Sequence, residues 1–429
     1  MHPNLLLGWQ LRTTRQPAGF VTHEPEPAST PAEPLADSGE SHCLVVAPTG
    51  AGKGRSIIIP NLLHWPHTAI VVDVKGEAAL ATARYRRSIG QQVAILDPFR
   101  RLASTGDRLN PLDWLGNSAE HLADNAVTLS EAITGKDALS EKEPFWDHAA
   151  NDFTSGLITR AATRLTPQER CLGAVYNLLS GDDPVYQIAM WMDTEKEMHP
   201  FARRQLGAFL HHEGDKVRSS VLSVALQHMR AFSTPLVQAA VADTTIDLDA
   251  LRSGKPMTIY LVMPANRLQS HAGLLRVWLN VLLGIVAERT SQPECITLLV
   301  LDEMAQIGGV PLILQALTLL RGYGLRVMPI IQSLAQLRSM WPKDYQTVID
   351  NCGVIAAFGQ SRPVMANPMA DLLGDLSAAA IMQMPPDQLA INRTGHGTVI
   401  ARKLDYLSDE MFAGRFDANP LYQRTATLG

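Results

Sequence analysis

Short apolar runs alternate with stretches of helical spacing over much of this chain. The first clear run is Cys43–Ala47, followed by a glycine-rich turn and a helix from about Lys53 to His64. Ala69–Asp73 is a second run, rich in β-branched residues; a helix is expected over about Glu77 to Ser88, and Val93–Leu96 reads as a third strand. These runs lack the polar–apolar alternation of a half-exposed strand. They suit strands buried on both faces and joined by helices, the pattern of a parallel sheet. From about Leu112 to Arg230 helical spacing dominates, as in Asp147–Phe153 and Val217–Met229, and strand-like runs are absent. The alternation resumes at Met257–Val262, with further strands expected at Ile296–Leu301, Arg326–Ile331, Val354–Phe358 and Gly397–Ala401. Pro17–Glu40, rich in Pro, Ala, Glu and Ser, reads as a flexible loop or linker.

The expected fold is therefore α/β, with a mainly parallel central sheet and an inserted all-α domain. The pattern divides the chain into a flexible segment (1–40), the first part of the sheet domain (41–111), an all-α domain (112–230) and the second part of the sheet domain (231–429). The 429 residues leave room for that many units. With 46% hydrophobic and 18% charged residues, the composition is that of an enzyme with a substantial core. A net charge of −5 argues against nucleic-acid attraction by the molecule as a whole; DNA contact would need a local basic surface such as a pore. The four cysteines (Cys43, Cys171, Cys295, Cys352) form no CxxC pair, which argues against a zinc site or disulfide framework and fits a reducing cytoplasm. No secretory signal is expected. The best apolar segment, Val277–Ala287, is shorter than the ~18–20 residues a membrane span needs and reads as a buried helix, so the chain is expected to be soluble.

The turn after the first strand carries chemistry. Ala47-Pro48-Thr49-Gly50-Ala51-Gly52-Lys53-Gly54 has the form of a phosphate-binding P-loop between a strand and a helix. In such a loop backbone N–H groups converge on phosphate oxygens at the positive end of the helix. Gly50 and Gly52 let the backbone approach closely, and Lys53 supplies charge to the β- and γ-phosphates. Pro48, Thr49, Gly50, Ala51, Gly52, Lys53, Gly54 and Arg55 are the expected nucleotide-binding residues. Two positions depart from the usual GxxxxGK[ST]: Ala47 replaces the first glycine, and Gly54 replaces the hydroxyl residue that usually ligates Mg²⁺. A glycine-rich turn without a ligand would also give such a stretch, but further parts of a nucleotide site follow.

Ile296–Leu301 ends in Asp302-Glu303, the Walker B arrangement of an apolar strand delivering two carboxylates. Asp302 would hold Mg²⁺, in part through water, and Glu303 would polarise the attacking water. A solvated acidic pair at a strand end is the plainer alternative. Gln332 follows Arg326–Ile331, at the carboxyl edge where ligands bind, and could sense the γ-phosphate or simply cap the next helix. Arg321 lies at the far end of the segment after Asp302-Glu303, badly placed for its own nucleotide but able to reach a neighbour's. It could be an arginine finger in trans or an arginine favoured at a helix C-terminus.

At these residues the chain resembles the type IV secretion (conjugation) coupling proteins, RecA-like P-loop NTPases. The glycine after the P-loop lysine is similar to many of them. Pro60-Asn61-Leu62-Leu63, Asp73-Val74-Lys75-Gly76-Glu77, Asp97-Pro98-Phe99, Asn110-Pro111-Leu112, the Walker B segment Leu301–Gly308, Gln332-Ser333, Asn351-Cys352 and Asn419-Pro420 resemble successive family motifs. Phe145-Trp146 and the surrounding helices are similar to the family's all-α domain. The resemblance runs from about residue 40 to the C-terminus. It implies ATP and Mg²⁺ as ligands, and Glu303, Lys53, Arg321 and Gln332 as catalytic residues, with Asp302 on the metal. It implies a homo-hexamer when active, with a monomer in isolation also open. The implied partners are DNA, relaxase or effector proteins, and the secretion-channel ATPase and inner-membrane components. Most members carry N-terminal transmembrane helices, whereas none is legible ahead of the P-loop. That implies a naturally soluble member or a chain with its anchor removed, located in the cytoplasm and recruited to the inner membrane. Three functions stay open on the sequence: a motor driving DNA or protein toward a secretion channel, a docking receptor with nucleotide as a structural ligand, and a general hexameric DNA translocase.

Overall fold

The computed structural model describes residues 4–11, 33–102, 106–115, 120–135, 144–307 and 311–419. Its strands are β1 (Leu5–Gln10), β2 (Pro34–Asp37), β3 (Cys43–Val46), β4 (Ala69–Asp73), β5 (Gln92–Leu96), β6 (Met257–Val262), β7 (Thr297–Leu301), β8 (Leu325–Ile331), β9 (Val354–Phe358), β10 (Gln388–Arg393) and β11 (Gly397–Arg402). They form one sheet in the order β2-β1-β11-β10-β9-β3-β8-β7-β4-β6-β5. From β9 to β5 every pairing is parallel; from β9 outward to β2 every pairing is antiparallel.

The inner parallel strands are mostly apolar because both faces are covered, while β5 at the edge is only partly buried. Ile70 and Val72 of β4 enter one hydrophobic cluster with Leu299 and Leu301 of β7; the intervening Val71, Leu298 and Val300 enter a second cluster on the opposite face. The crossovers match the spacing read from the sequence, with a helix at Glu77–Ser88. The helix after the P-loop begins with a π turn, Gly54–Ile58, before the regular helix Ile59–His64.

Between β5 and β6 the described residues are helical or irregular, and the helices continue past residue 230 to Pro235–Ala240 and Leu248–Ser253. The helix Ala265–Ala287 joins this region to the sheet: it packs on Leu122–Thr134 and belongs to the same core cluster as the strands. At Gly284 the backbone lies so close to Trp114 that a Cβ would sit 2.6 Å from the ring, so glycine is required. This helix is longer than the expected Val277–Ala287. By length and composition it could cross a membrane, but 72% of its apolar window is buried in the protein, as befits a core helix.

The expectation of a flexible segment over 1–40 needs correction. Leu5, Leu6 and Leu7 are buried in β1, which pairs with β2 and β11. Asn61, from the Pro60–Leu63 motif, clamps β1: its side chain accepts from Leu6 N at 2.8 Å and donates to Leu6 O at 2.9 Å. Residues 12–32 of that segment, and Gly308 and Pro420 of the motifs, lie outside the described residues. β10 was not anticipated. After Asp302-Glu303 come the helices Met304–Ile307 and Pro311–Thr318 and the 3-10 turn Leu320–Tyr323, which carries Arg321.

Candidate nucleotide site

β3 is flanked by β8 and β9, and β7 lies beyond β8. Val46 is in register with Ile331 and Ala357, so the loops that follow these parallel strands emerge along one edge. The P-loop begins as Ala47 N donates to Ile331 O at 2.9 Å. Ala51 N donates to Pro48 O at 3.1 Å and closes the turn. Ser56 locks the exit, donating from N (2.9 Å) and from Oγ (2.8 Å) to Gly52 O. Gly50 and Gly52 have φ of 78° and 87°, the left-handed region that favours glycine. Thr49 and Gly50 are exposed, so the mouth of the loop is open.

Lys53 meets the carboxylates that follow β7. Its Nζ lies 2.8 Å from Asp302 Oδ1 and donates to Glu303 Oε1. Gln332, directly after β8, donates from Nε2 to Glu303 Oε2 at 3.0 Å, while its own N–H is held by Gln336 Oε1 at 2.8 Å. Burial works against the Lys53 charge, but the two carboxylates outweigh it and its pKa is raised. Burial also pushes Glu303 up, yet the Lys53 hydrogen bond and charge prevail and leave it below the usual carboxylate range. For Asp302 burial wins and its pKa is raised. Glu303 is also held at φ 54°, a left-handed conformation rare outside glycine and one that costs of order 1–3 kcal/mol.

The residues fit a hydrated divalent cation. Asp302 Oδ1 is buried, and its partner is the Lys53 ammonium at 2.8 Å, so a Lys53 drawn to phosphates would release that oxygen as an acceptor. Asp302 lines a cavity of about 20 Å³ with Gly54, Asp73, Lys75 and Glu77, room for a single water. Among the described residues no group of three or more His, Cys, Asp or Glu side chains forms a ready-made cage. Mg²⁺ keeps several waters and takes one or two carboxylates plus substrate phosphates, a demand that Asp302 beside an open P-loop can meet.

The structure thus brings together Pro48 through Gly54, Lys53, Asp302, Glu303 and Gln332. It does not bring in two other expected residues. The Arg55 guanidinium is paired with both carboxylate oxygens of Asp405. Arg321 is exposed in the turn before β8, and its charge is felt by His42, which precedes β3. That is the amino end of the parallel strands, a strand length from the P-loop.

Two residues here were not among the expected site residues, although Asp73 begins one of the motifs noted in the sequence. Asp73 is buried beside the cavity; burial pushes it up to about 7, against the hydrogen bond from Ala79 N, and the Asp302 charge adds to the rise. Its signal was present, since it ends an apolar run as Asp302 does. Lys403 donates to Ala51 O from the end of β11, and nothing in the local sequence marks it.

The sequence model of the family described as "Type IV secretory system Conjugative DNA transfer" matches residues 17–414. Protein VirD4 of Rhizobium rhizogenes is 31% identical over 331 residues, which cover 75% of this chain and 47% of that protein. Conjugal transfer protein TraG of Escherichia coli is 24% identical over 362 residues, covering 79% of this chain and 56% of that one. The chain spans about half the length of the curated relatives it matches. Among solved structures, plasmid coupling protein TrwB in complex with ADP and Mg²⁺ superposes with a TM-score of 0.64 at 15% identity, over 85% of each chain, a likeness of fold.

Proposed function

The chain belongs to the type IV secretory system conjugative DNA transfer family, and from that premise we propose that it is an ATPase coupling ATP turnover to the movement of DNA toward a secretion channel. The observation that carries this reading is the meeting of Lys53, Asp302, Glu303 and Gln332 beside an open P-loop. The TrwB complex with ADP and Mg²⁺ makes an adenine nucleotide with Mg²⁺ the natural ligand pair.

In this reading Lys53 exchanges its carboxylate partners for the β- and γ-phosphates, while P-loop N–H groups bind their oxygens. Mg²⁺ supplies neutralisation of the charge that develops on the phosphates. Asp302, released by Lys53, would offer that oxygen to the hydrated cation. Freed of Lys53, Glu303 orients and polarises the attacking water, and Gln332 holds Glu303 in place. Arg321 serves a neighbouring subunit, which its exposure and distance from its own P-loop favour. That requires a ring, taken to be a hexamer. Relaxase or effector proteins and inner-membrane components of the secretion machinery are the proposed further partners, with the chain acting at the cytoplasmic face of the membrane. Contacts with DNA would be directed at phosphates and weaken with salt.

The test is ATP hydrolysis by the full chain and by Lys53→Ala, with and without single- and double-stranded DNA, alongside mass measurement. Turnover that DNA stimulates and Lys53→Ala abolishes is expected. Hydrolysis at the wild-type rate by Lys53→Ala would place the chemistry elsewhere, and nucleotide binding without turnover would favour a docking receptor.

A further inference from the structure

The segment after β11 grips the phosphate loop from behind. The Lys403 ammonium donates to Ala51 O at 3.1 Å and lies 4.2 Å from the centre of the Phe358 ring, at the end of β9. Two residues on, Asp405 holds the Arg55 guanidinium, and Tyr406 N donates to Arg55 O at 3.4 Å. This segment is itself anchored: Asp409 Oδ2 accepts from Asp405 N at 2.8 Å and from Trp9 Nε1 of β1 at 2.7 Å. The antiparallel strands thus deliver a fixed lysine to one peptide group of the P-loop.

That peptide is the Ala51–Gly52 bond. A peptide group is planar and trans, so its C=O and N–H point in opposite directions. With the Ala51 carbonyl turned to Lys403, the Gly52 N–H is turned away from it. Neighbouring groups hold this arrangement, because Ala51 N is bonded to Pro48 O and Gly52 O to Ser56. A cation on the carbonyl also polarises the peptide, which makes its N–H a better donor. Burial lowers the Lys403 pKa to about 8, against the pull of the Asp387 charge, while the Ala51 carbonyl and the Phe358 ring favour the ammonium form.

We propose that Lys403 is a positioning residue of the phosphate site, fixing the Ala51–Gly52 peptide so that Gly52 N–H faces the phosphates and setting a positive charge behind that donor. The inference rests on the reading of the P-loop as an ATP site. It assigns Lys403 no contact with the substrate. The chain therefore has two lysines at this loop, Lys53 in front and Lys403 behind.

The experiment measures binding of ATP and of inorganic tripolyphosphate to the full chain by calorimetry, for the wild type and for Lys403→Met, Lys403→Gln and Lys403→Arg. Melting temperature without ligand is read in parallel. A Gly52 N–H no longer aimed at the phosphates loses one hydrogen bond to a charged group, which should weaken both probes about tenfold in Lys403→Met. Lys403→Gln, which keeps a donor but no charge, should fall between, and Lys403→Arg should recover most of the affinity, all with melting temperatures near the wild type. Should Lys403→Met fail to fold, the Gln and Arg variants carry the same ordering. Wild-type affinity in Lys403→Met or Lys403→Gln would overturn the proposal. So would a loss that follows a fall in melting temperature and is not recovered by Arg, which would make Lys403 a structural lysine. A wild type that binds neither probe would overturn the ATP reading itself, an outcome distinct from a wild type that binds and a Lys403→Met variant that binds equally well.

Discussion

Replacing Glu303 by Gln separates binding from turnover at this site. Glu303 accepts from Lys53 through one oxygen and from Gln332 through the other. An amide of the same shape can keep the Gln332 contact, because the Gln332 amide can turn to present its oxygen. Lys53 keeps Asp302 at 2.8 Å, so the fold has little reason to change. The lost element is the charge-assisted bond between Lys53 and Glu303, whose side chains are only 14% and 18% exposed and so little screened. A hydrogen bond to a charged group contributes about 1.5–3 kcal/mol. A nucleotide must break that bond to recruit Lys53, so Glu303→Gln should bind ATP more tightly, by about tenfold if the lower figure applies. Turnover should move the other way, because an amide is no base, and the loss of a general base costs about 10²–10⁴-fold. Calorimetry with a non-hydrolysable ATP analogue and single-turnover hydrolysis on the same preparation give both quantities. Wild-type turnover, or binding weaker than wild type, would refute the idea that Glu303 restrains Lys53 before nucleotide arrives and activates water afterwards.

Two further perturbations probe the opposite edge of the sheet. Arg321→Ala should bind ATP like the wild type and lose about 10³-fold in turnover, the low end for an arginine finger. Mixing it with Glu303→Gln should restore part of the rate, since some interfaces then join an intact Glu303 to an intact Arg321; no recovery in a mixed ring would argue against action in trans. His42→Asn should flatten the acid limb of stability. His42 is buried, accepts from Val327 N at 3.0 Å, and has its pKa lowered to about 4 from 6.5, by burial first and then by the Arg321 and Arg326 charges. The neutral form belongs to the folded state, so its contribution is complete above pH 6.5 and is lost as pH falls toward 4, about 3 kcal/mol in all. Denaturant melts from pH 7 to pH 4 would show it, and equal slopes for variant and wild type would refute it.

The split between what could and could not be read from the chain follows the range of the interactions. Strands β3 to β9 were legible because burial on both faces leaves an uninterrupted apolar run, as in Ala69–Asp73, and the loops after them inherit a predictable edge of the sheet. That logic puts Lys53, Asp302, Glu303 and Gln332 at one edge from the sequence alone. β1, β2 and β10 obey a different logic. They extend the sheet antiparallel, β2 is only four residues long, and β1 is buried between β2 from the same end of the chain and β11 from the opposite end. Leu5–Leu7 carries no periodicity that distinguishes a strand from an apolar start to a linker. Arg55 and Lys403 depend on those strands, which is why neither the Asp405 pairing of the one nor the Ala51 contact of the other is legible in the sequence. An arginine two residues after the P-loop lysine looks like a phosphate ligand until Asp405 is folded against it, and a lysine after an unremarkable strand acquires meaning only when β11, β10 and β9 carry it to Ala51. The parallel half of the sheet supplies the proposed reacting groups in a form that sequence displays, whereas the antiparallel half supplies the frame that holds the loop, through contacts that only the fold creates.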